Sequence, residues 1–459
     1  MTKIIEIDAN TIKNTIKTLC FLSSYKLDKN TYLKIENAFK KEQNQKSKDI
    51  LQNILQNAHI SNQNKRPLCQ DTGQVIVFAE IGQDVHIKGD FNQAINDGVA
   101  ECYIEKHLRK SINTALLREN TTNNTPAIIH TNIISGNHIK LSICLKGGGS
   151  ENMSRSKMLY PALGKQGIID FVIDAIKKAG LKACPPYSIG VGIGGNLETS
   201  GILSKKALIQ TTPMDKLEKE FLDAINKTNI GASGEGGTTT ALSVKILEAP
   251  CHIASLPVSI AINCHSSRHS SAIIKEDVVF DFEEYNTSKM PQTNQTKEVF
   301  TDDINAIKNL KTGENILLSG TIYTARDEAH KKLLQETTPP FEIKNSIIFY
   351  AGPCPATPDE IIGPIGPTTS TRMDSFTPKL LEIGLIATIG KGERKKEVLD
   401  AHKKHNAVYF TAIGGIASLL QECIKDCELV AYKELGPEAI YKLKIEKLPL
   451  KVACGKIEE

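Results

Sequence analysis

Tryptophan is absent from this sequence and aromatic residues make up only 5% of it, which by itself excludes little. The absence of a charge excess is more informative. Lysine and arginine number 56 against 52 acidic residues, a net charge of +4. That balance argues against nucleic acid as the main partner. No apolar run approaches the length needed to span a bilayer, so no membrane is expected. The opening residues Met1-Thr2-Lys3-Ile4-Ile5-Glu6-Ile7-Asp8 carry no apolar signal region. No G-x-x-x-x-G-K-[ST] stretch occurs, which removes the P-loop reading of the glycine-rich segments. No CxxC pair occurs either, and there is no internal repeat or low-complexity tract. Eleven cysteines without a signal region point to the cytoplasm and to free thiols. Cys423 and Cys427, four apart on an expected helix over 417–427, read as packing. With 459 residues, 40% hydrophobic and 24% charged, the chain is an ordinary soluble composition for two or three domains.

Along the chain, residues 1–60 show apolar positions at helical spacing: Tyr32, Ile35, Ala38 and Phe39, then Ile50, Leu51, Ile54 and Leu55. A buried strand is expected at 75–79. A helix is expected over 90–110, with Ala94, Val99 and Ile104 on its apolar side. Two β-rich runs at 127–130 and 138–143 flank Ser135-Gly136-Asn137 and predict a hairpin. Helices are expected over 167–178 and about 213–226, and strands over 239–248 and 252–263. The polar, aperiodic stretch 283–298 reads as a linker. Beyond it, strands at 315–318 and 343–350 alternate with helices at 326–335 and 393–404, an α/β pattern of domain size. The expected division is 1–285, a linker 286–299, and 300–459.

The chemistry centres on Lys65-Arg66-Pro67-Leu68-Cys69-Gln70-Asp71-Thr72-Gly73. Here a thiol, an amide, a carboxylate and a hydroxyl are consecutive, held between a proline and a glycine. A second cysteine stands before two prolines in Cys184-Pro185-Pro186-Tyr187, followed by glycines whose N–H groups could approach an anion. Further cysteines flank His252, as Cys251 and as Cys264 in Asn263-Cys264-His265-Ser266-Ser267-Arg268. Three thiolates gathered from distant loops suit iron–sulfur chemistry, and three ligands on a four-iron cluster leave one iron open as a Lewis acid. Spacing alone does not select Cys69, Cys184 and Cys264 from the eleven. Lys146-Gly147-Gly148-Gly149-Ser150-Glu151-Asn152 reads as a cationic glycine loop able to face an oxyanion. Late in the chain, Thr324-Ala325-Arg326 and Thr368-Thr369-Ser370-Thr371-Arg372 place arginines and hydroxyls at helix starts, and Lys391 stands between glycines. Two arginines and a lysine at such junctions fit a dianionic substrate.

Taken in order, these motifs resemble the class I, iron–sulfur fumarate hydratases, a family that includes L(+)-tartrate dehydratase. The 67–73, 146–152, 184–195 and 252–264 segments look like the family's α part. The 324–330, 350–353, 366–374 and 390–392 segments look like its β part, here fused on one chain. The resemblance implies an α/β (α+β) two-domain fold, a mixed α/β cluster-binding domain followed by a swivelling-type β/β/α domain. It implies a [4Fe–4S] cluster on Cys69, Cys184 and Cys264. It implies substrate contacts from Gln70, Asp71, Arg109, Gly148, Arg326, Arg372 and Lys391. It also implies Thr368 as base and a site residue at His252 that reaches across a homodimer. A threonine hydroxyl is a weak base and needs a proton partner, for which Asp71 is the candidate. Two departures stand out: 231–237 matches the family's glycine loop only loosely, and Cys354 replaces a small non-thiol residue.

The expected reaction interconverts fumarate and (S)-malate, with the two domains closing over a small dicarboxylate. Two rivals remain: the same chemistry on tartrate, and a non-catalytic iron or oxygen sensor.

Overall fold

The computed structural model describes residues 4–283, 285–287 and 296–456. The chain divides into two compact units, Met1–Ser288 and Lys289–Glu459. Most of the expected linker lies outside the described residues. Its last three positions belong to the strand Lys297–Phe300.

The first unit opens with a short strand, Ile5–Asp8, that the helical pattern hides, and continues with helices Ala9–Tyr25, Lys29–Lys41 and Gln45–Asn64. Asp8, Asp28 and Asn44 stand at their N-caps, each side chain accepting an N–H of the first turn. A five-stranded sheet follows in the order Val278–Asp281, His269–Ile274, Ile139–Lys146, Gln74–Gly82, Ile128–Ile134. Ile12, Ile16 and Leu19 of the first helix and Ile95 and Val99 of Phe91–Glu105 share a core with Val75, Val77, Leu141 and Ile143 of the sheet. Ile104, expected on that apolar side, is exposed.

The predicted hairpin does not form. Ile128–Ile134 pairs parallel with Gln74–Gly82, and Ile139–Lys146 pairs antiparallel with the same strand from its other side. The loop therefore passes over the end of Gln74–Gly82, where Gly82 donates to the His138 carbonyl at 2.8 Å and Asp84 to that of Gly136 at 3.0 Å.

A second sheet orders Arg155–Leu159, Leu256–Asn263, Tyr187–Gly194 and Ala241–Ala249. Residues 252–255 precede its Leu256–Asn263 strand as a turn rather than extending it. The glycines after Cys184 are strand residues, not an anion loop. A Cβ on Gly190 or Gly192 would run into the carbonyls of Ser204 or Ser200 on the helix Leu197–Ala207. Close helix-on-strand packing, not a ligand, explains them.

In the second unit, Lys297–Phe300, Asn315–Thr324, Ile347–Phe349, Ala387–Gly390 and Val408–Thr411 lie parallel in sequence order. The long strand Ile440–Cys454 pairs antiparallel with Asn315–Thr324 and, through its last residues, with Val408–Thr411, closing the sheet on itself. The expected helix over 417–427 ends at Glu422, and Ile424–Ala431 is an edge strand. Cys423 and Cys427 therefore share no helix face.

Candidate active site

The Cys69 loop is fixed on both sides. Leu68 donates its N–H to the Ser24 carbonyl at 2.9 Å and accepts from Asn57 Nδ2 at 3.0 Å. The Tyr103 hydroxyl donates to the carbonyls of Thr72 and Gly73, at 2.8 and 3.1 Å. Thr72 donates its hydroxyl to the Arg109 carbonyl at 2.8 Å, which ties Arg109 to the loop. Gly73 has φ +82°, and a Cβ there would meet the Lys146 backbone within 3.0 Å, so only glycine fits. The conformation turns the chain directly into the buried Gln74–Gly82 strand.

Asp71 is held by two amides. Its Oδ1 accepts from Gly73 N at 3.1 Å and its Oδ2 from Gly148 N at 2.8 Å. The Gly148 N–H, expected for an oxyanion, thus serves Asp71. Lys146 does not face outward either. It is buried, donates to Ser150 Oγ at 3.2 Å and to the Ile262 carbonyl, and is pushed down to about 8 by burial.

Cys184 has φ +55° and ends the turn Gly180–Ala183, next to Pro185. The loosely matching glycine loop braces it from behind, where Ser233 N donates to the Pro185 carbonyl at 3.0 Å. Glu42 in turn holds Thr238, accepting from its N–H at 2.9 Å and its hydroxyl at 3.1 Å. Cys264 follows the strand Leu256–Asn263. These three cysteines, far apart in sequence, stand within electrostatic reach of one another. Burial and the neighbouring Cys184 and Cys69 push the Cys264 thiol up to about 12, and burial also raises Cys69. The Cys69 thiol lies 3.4 Å from Gln70 Oε1, so Gln70 belongs to the same wall.

Beside them lies Arg268. It is 3% exposed, and Cys69, Cys264 and Asp71 all act on its charge. Its signal in the sequence is only its place four residues after Cys264. Among the described residues, no three His, Cys, Asp or Glu side chains converge to hold a single metal ion. A cluster of several irons is gripped at its corners, so its thiolates need to share a wall rather than a point.

His252 stands apart. It is exposed on a turn, where its Nδ1 accepts from Ala254 N at 3.2 Å, and none of its hydrogen bonds reaches the cysteine loops. Cys354 is buried, its N–H donated to the Pro364 carbonyl at 2.9 Å.

In the second unit, Arg326 stands at the N-cap of the helix Asp327–Leu333 and meets Glu438 at 3.1 Å. Arg372 grips Asp327 with Nε at 2.9 Å from Oδ1 and Nη2 at 2.6 Å from Oδ2. Asp327 and Glu438 therefore hold the two arginines. Thr368 and Lys391 are joined through their backbones: Lys391 N donates to the Thr368 carbonyl at 3.1 Å, and Ser370 N to that of Lys391 at 2.9 Å. The Thr368 hydroxyl has no hydrogen-bond partner among the described residues, and the side chain is half-buried. Behind these loops Arg394 is buried against Asp374 at 2.9 Å, with Tyr350 and Tyr409 rings each 5.3 Å from its guanidinium. That network was not anticipated; a buried arginine looks like a surface one in sequence.

This chain belongs to the fumarate hydratase family: the profile described as "Fumarate hydratase (Fumerase)" matches residues 13–273, and that described as "Fumarase C-terminus" matches 273–456. The anaerobic class I fumarate hydratase of Escherichia coli (strain K12) is 33% identical over 447 residues, covering 89% of this chain and 81% of that protein. The aerobic class I fumarate hydratase of Salmonella typhimurium is 34% identical, covering 86% of this chain and 75% of that one. A protein of Methanocaldococcus jannaschii named as a putative L(+)-tartrate dehydratase subunit alpha is 42% identical over 257 residues, covering 53% of this chain and 90% of its own.

Proposed function

We propose that this chain is a hydro-lyase that interconverts fumarate and (S)-malate. The observation that carries the proposal is the gathering of Cys69, Cys184 and Cys264, with Gln70 and Asp71, on one wall. The residues fit a [4Fe–4S] cluster: three soft thiol ligands and a buried guanidinium beside them in Arg268. Cys69, Cys184 and Cys264 would hold it, and when bound it supplies a Lewis acid for a carboxylate and a hydroxyl.

The chain's own residues do the rest. Arg109, Arg326, Arg372 and Lys391 take the substrate's carboxylates. Gln70 and Gly148 are proposed to complete the polar contacts. In malate dehydration the C–O bond breaks as the double bond forms, and the hydroxide that leaves takes up the removed proton as water. Thr368 takes that proton from the carbon next to a carboxylate, and the charge that develops spreads onto that carboxylate. Cationic side chains already in place stabilise it without reorganisation. Asp71, fixed by two amides, is the proposed proton partner. His252 is proposed to act from one protomer on its partner in a homodimer. Eleven free cysteines support a cytoplasmic setting, and no helix among the described residues is long and apolar enough to cross a membrane. The closed sheet of the second unit supports its assignment as a swivelling-type β/β/α domain.

A second reading, dehydration of L(+)-tartrate, is favoured by the Methanocaldococcus relative. The test is fumarate hydration by protein purified without oxygen, repeated in air, with tartrate compared alongside. Activity on fumarate that disappears in air and returns with iron and reductant supports the proposal. Activity on tartrate alone moves the assignment to the second reading.

A further inference from the structure

We infer that Arg268 is a positioning residue for the iron–sulfur group, donating N–H bonds to its sulfur atoms and balancing its negative charge. The inference rests on the proposal that Cys69, Cys184 and Cys264 hold such a group. Arg268 is 3% exposed. Its backbone is pinned, the carbonyl accepting from Leu145 N at 3.0 Å. Its guanidinium points past Gly147: a Cβ at that glycine would lie 3.5 Å from Arg268 Nη2 and 3.2 Å from Asp71 Oδ2. Nε and Nη1 are shut off from water and have no hydrogen-bond partner among the described residues.

An arginine keeps its charge inside a protein, and a buried charge without matched donors and acceptors is costly. The groups that face it are Cys69, Cys264, Asp71 and Tyr103. The Tyr103 hydroxyl donates to Thr72 and Gly73. Asp71 accepts from Gly73 and Gly148. Neither supplies the acceptors that Nε and Nη1 lack. Thiolates and sulfides gathered beside Cys69 and Cys264 would supply both the acceptors and the negative charge. The planar fork of arginine suits several acceptors on one face, which a lysine could not serve in the same way.

The experiment uses the full chain, prepared without oxygen and reconstituted with ferrous iron and sulfide, as parent, Arg268→Lys and Arg268→Gln. Iron and acid-labile sulfide per chain, the rate of iron loss to a ferrous chelator, and the reduction potential are measured. Arg268→Gln is expected to lose iron about tenfold faster and to be harder to reduce. Arg268→Lys is expected to recover most of the potential but not the retention. If Arg268→Gln does not fold, as judged by circular dichroism, Arg268→Lys decides by its rate of iron loss. Variants that match the parent in iron loss and potential overturn the inference. So does a change confined to KM, which would make Arg268 a substrate contact. A parent that takes up no iron and sulfide overturns the cluster proposal itself, an outcome read without either variant.

Discussion

At Thr368 the side chain offers a hydroxyl with no partner among the described residues, on a loop stitched by backbone to Lys391. If it moves the proton, Thr368→Ala should lower kcat by about a hundredfold or more with KM little changed. Steady-state kinetics on fumarate and malate check this, and a rise in KM with kcat spared would reduce Thr368 to a carboxylate contact. On the proposed role of Arg372 as a carboxylate contact, Asp327 bears on the same substrate differently. It meets Arg372 with both oxygens, at 2.9 and 2.6 Å, and so sets the direction of that guanidinium. Asp327→Asn removes the negative charge beside Arg372 and should raise KM by about tenfold, with kcat nearly unchanged. A fall in KM would instead make Asp327 a competitor for the arginine. Cys69 and Cys184 were legible in the sequence as candidates, marked by proline and polar neighbours, while the set of three with Cys264 rests on the family resemblance. Arg268 was not, since neither charge nor spacing tells whether an arginine is buried.

Strand and helix contacts explain what the periodicity missed. Ser135-Gly136-Asn137 is a good turn, but a turn signal cannot tell whether a third strand enters between its arms, and Gln74–Gly82 does. The glycines of Tyr187–Gly194 look like a ligand loop in sequence and are packing in space. Gly192→Ala should therefore cost about 2 kcal/mol or more, because the clash is with helix backbone that cannot step aside. Denaturant unfolding beside Gly201→Ala, where nothing lies within 4 Å of the added Cβ, gives the comparison. A second prediction concerns the histidines of the second unit. Burial pushes both His330 and His402 down to about 4. In the unfolded chain each takes a proton near pH 6.5, so the unfolded state binds more protons between there and pH 4. Their contribution is intact above about pH 6.5 and is lost as pH falls towards 4, by up to about 3 kcal/mol each. His402→Gln should flatten the slope of stability against pH in that window; an unchanged slope would show that His402 does not supply it.

Each unit of the molecule has hydrophobic clusters of its own, those of the first on its five-stranded and four-stranded sheets and that of the second between its sheet and the helices Asp327–Leu333 and Thr377–Glu382. The first family profile ends at residue 273, where the second begins, ahead of the division at 288 and 289. The Methanocaldococcus relative is named as a single subunit, and its 257 matched residues are close to the extent of the first profile. Units that carry separate cores can fold as separate chains. Co-expression of 1–288 and 289–459 as two chains should therefore restore fumarate hydration to within about tenfold of the fused protein, the difference reflecting only the lost effective concentration. Each half alone should fold and be inactive, because the proposed cluster ligands Cys69, Cys184 and Cys264 belong to one and the proposed substrate residues Arg326, Thr368, Arg372 and Lys391 to the other. Circular dichroism of each half, iron content of the first, and activity of the mixture separate the outcomes. Two folded halves, the first holding iron, that remain inactive together would mean that covalent connection is itself part of how this chain works.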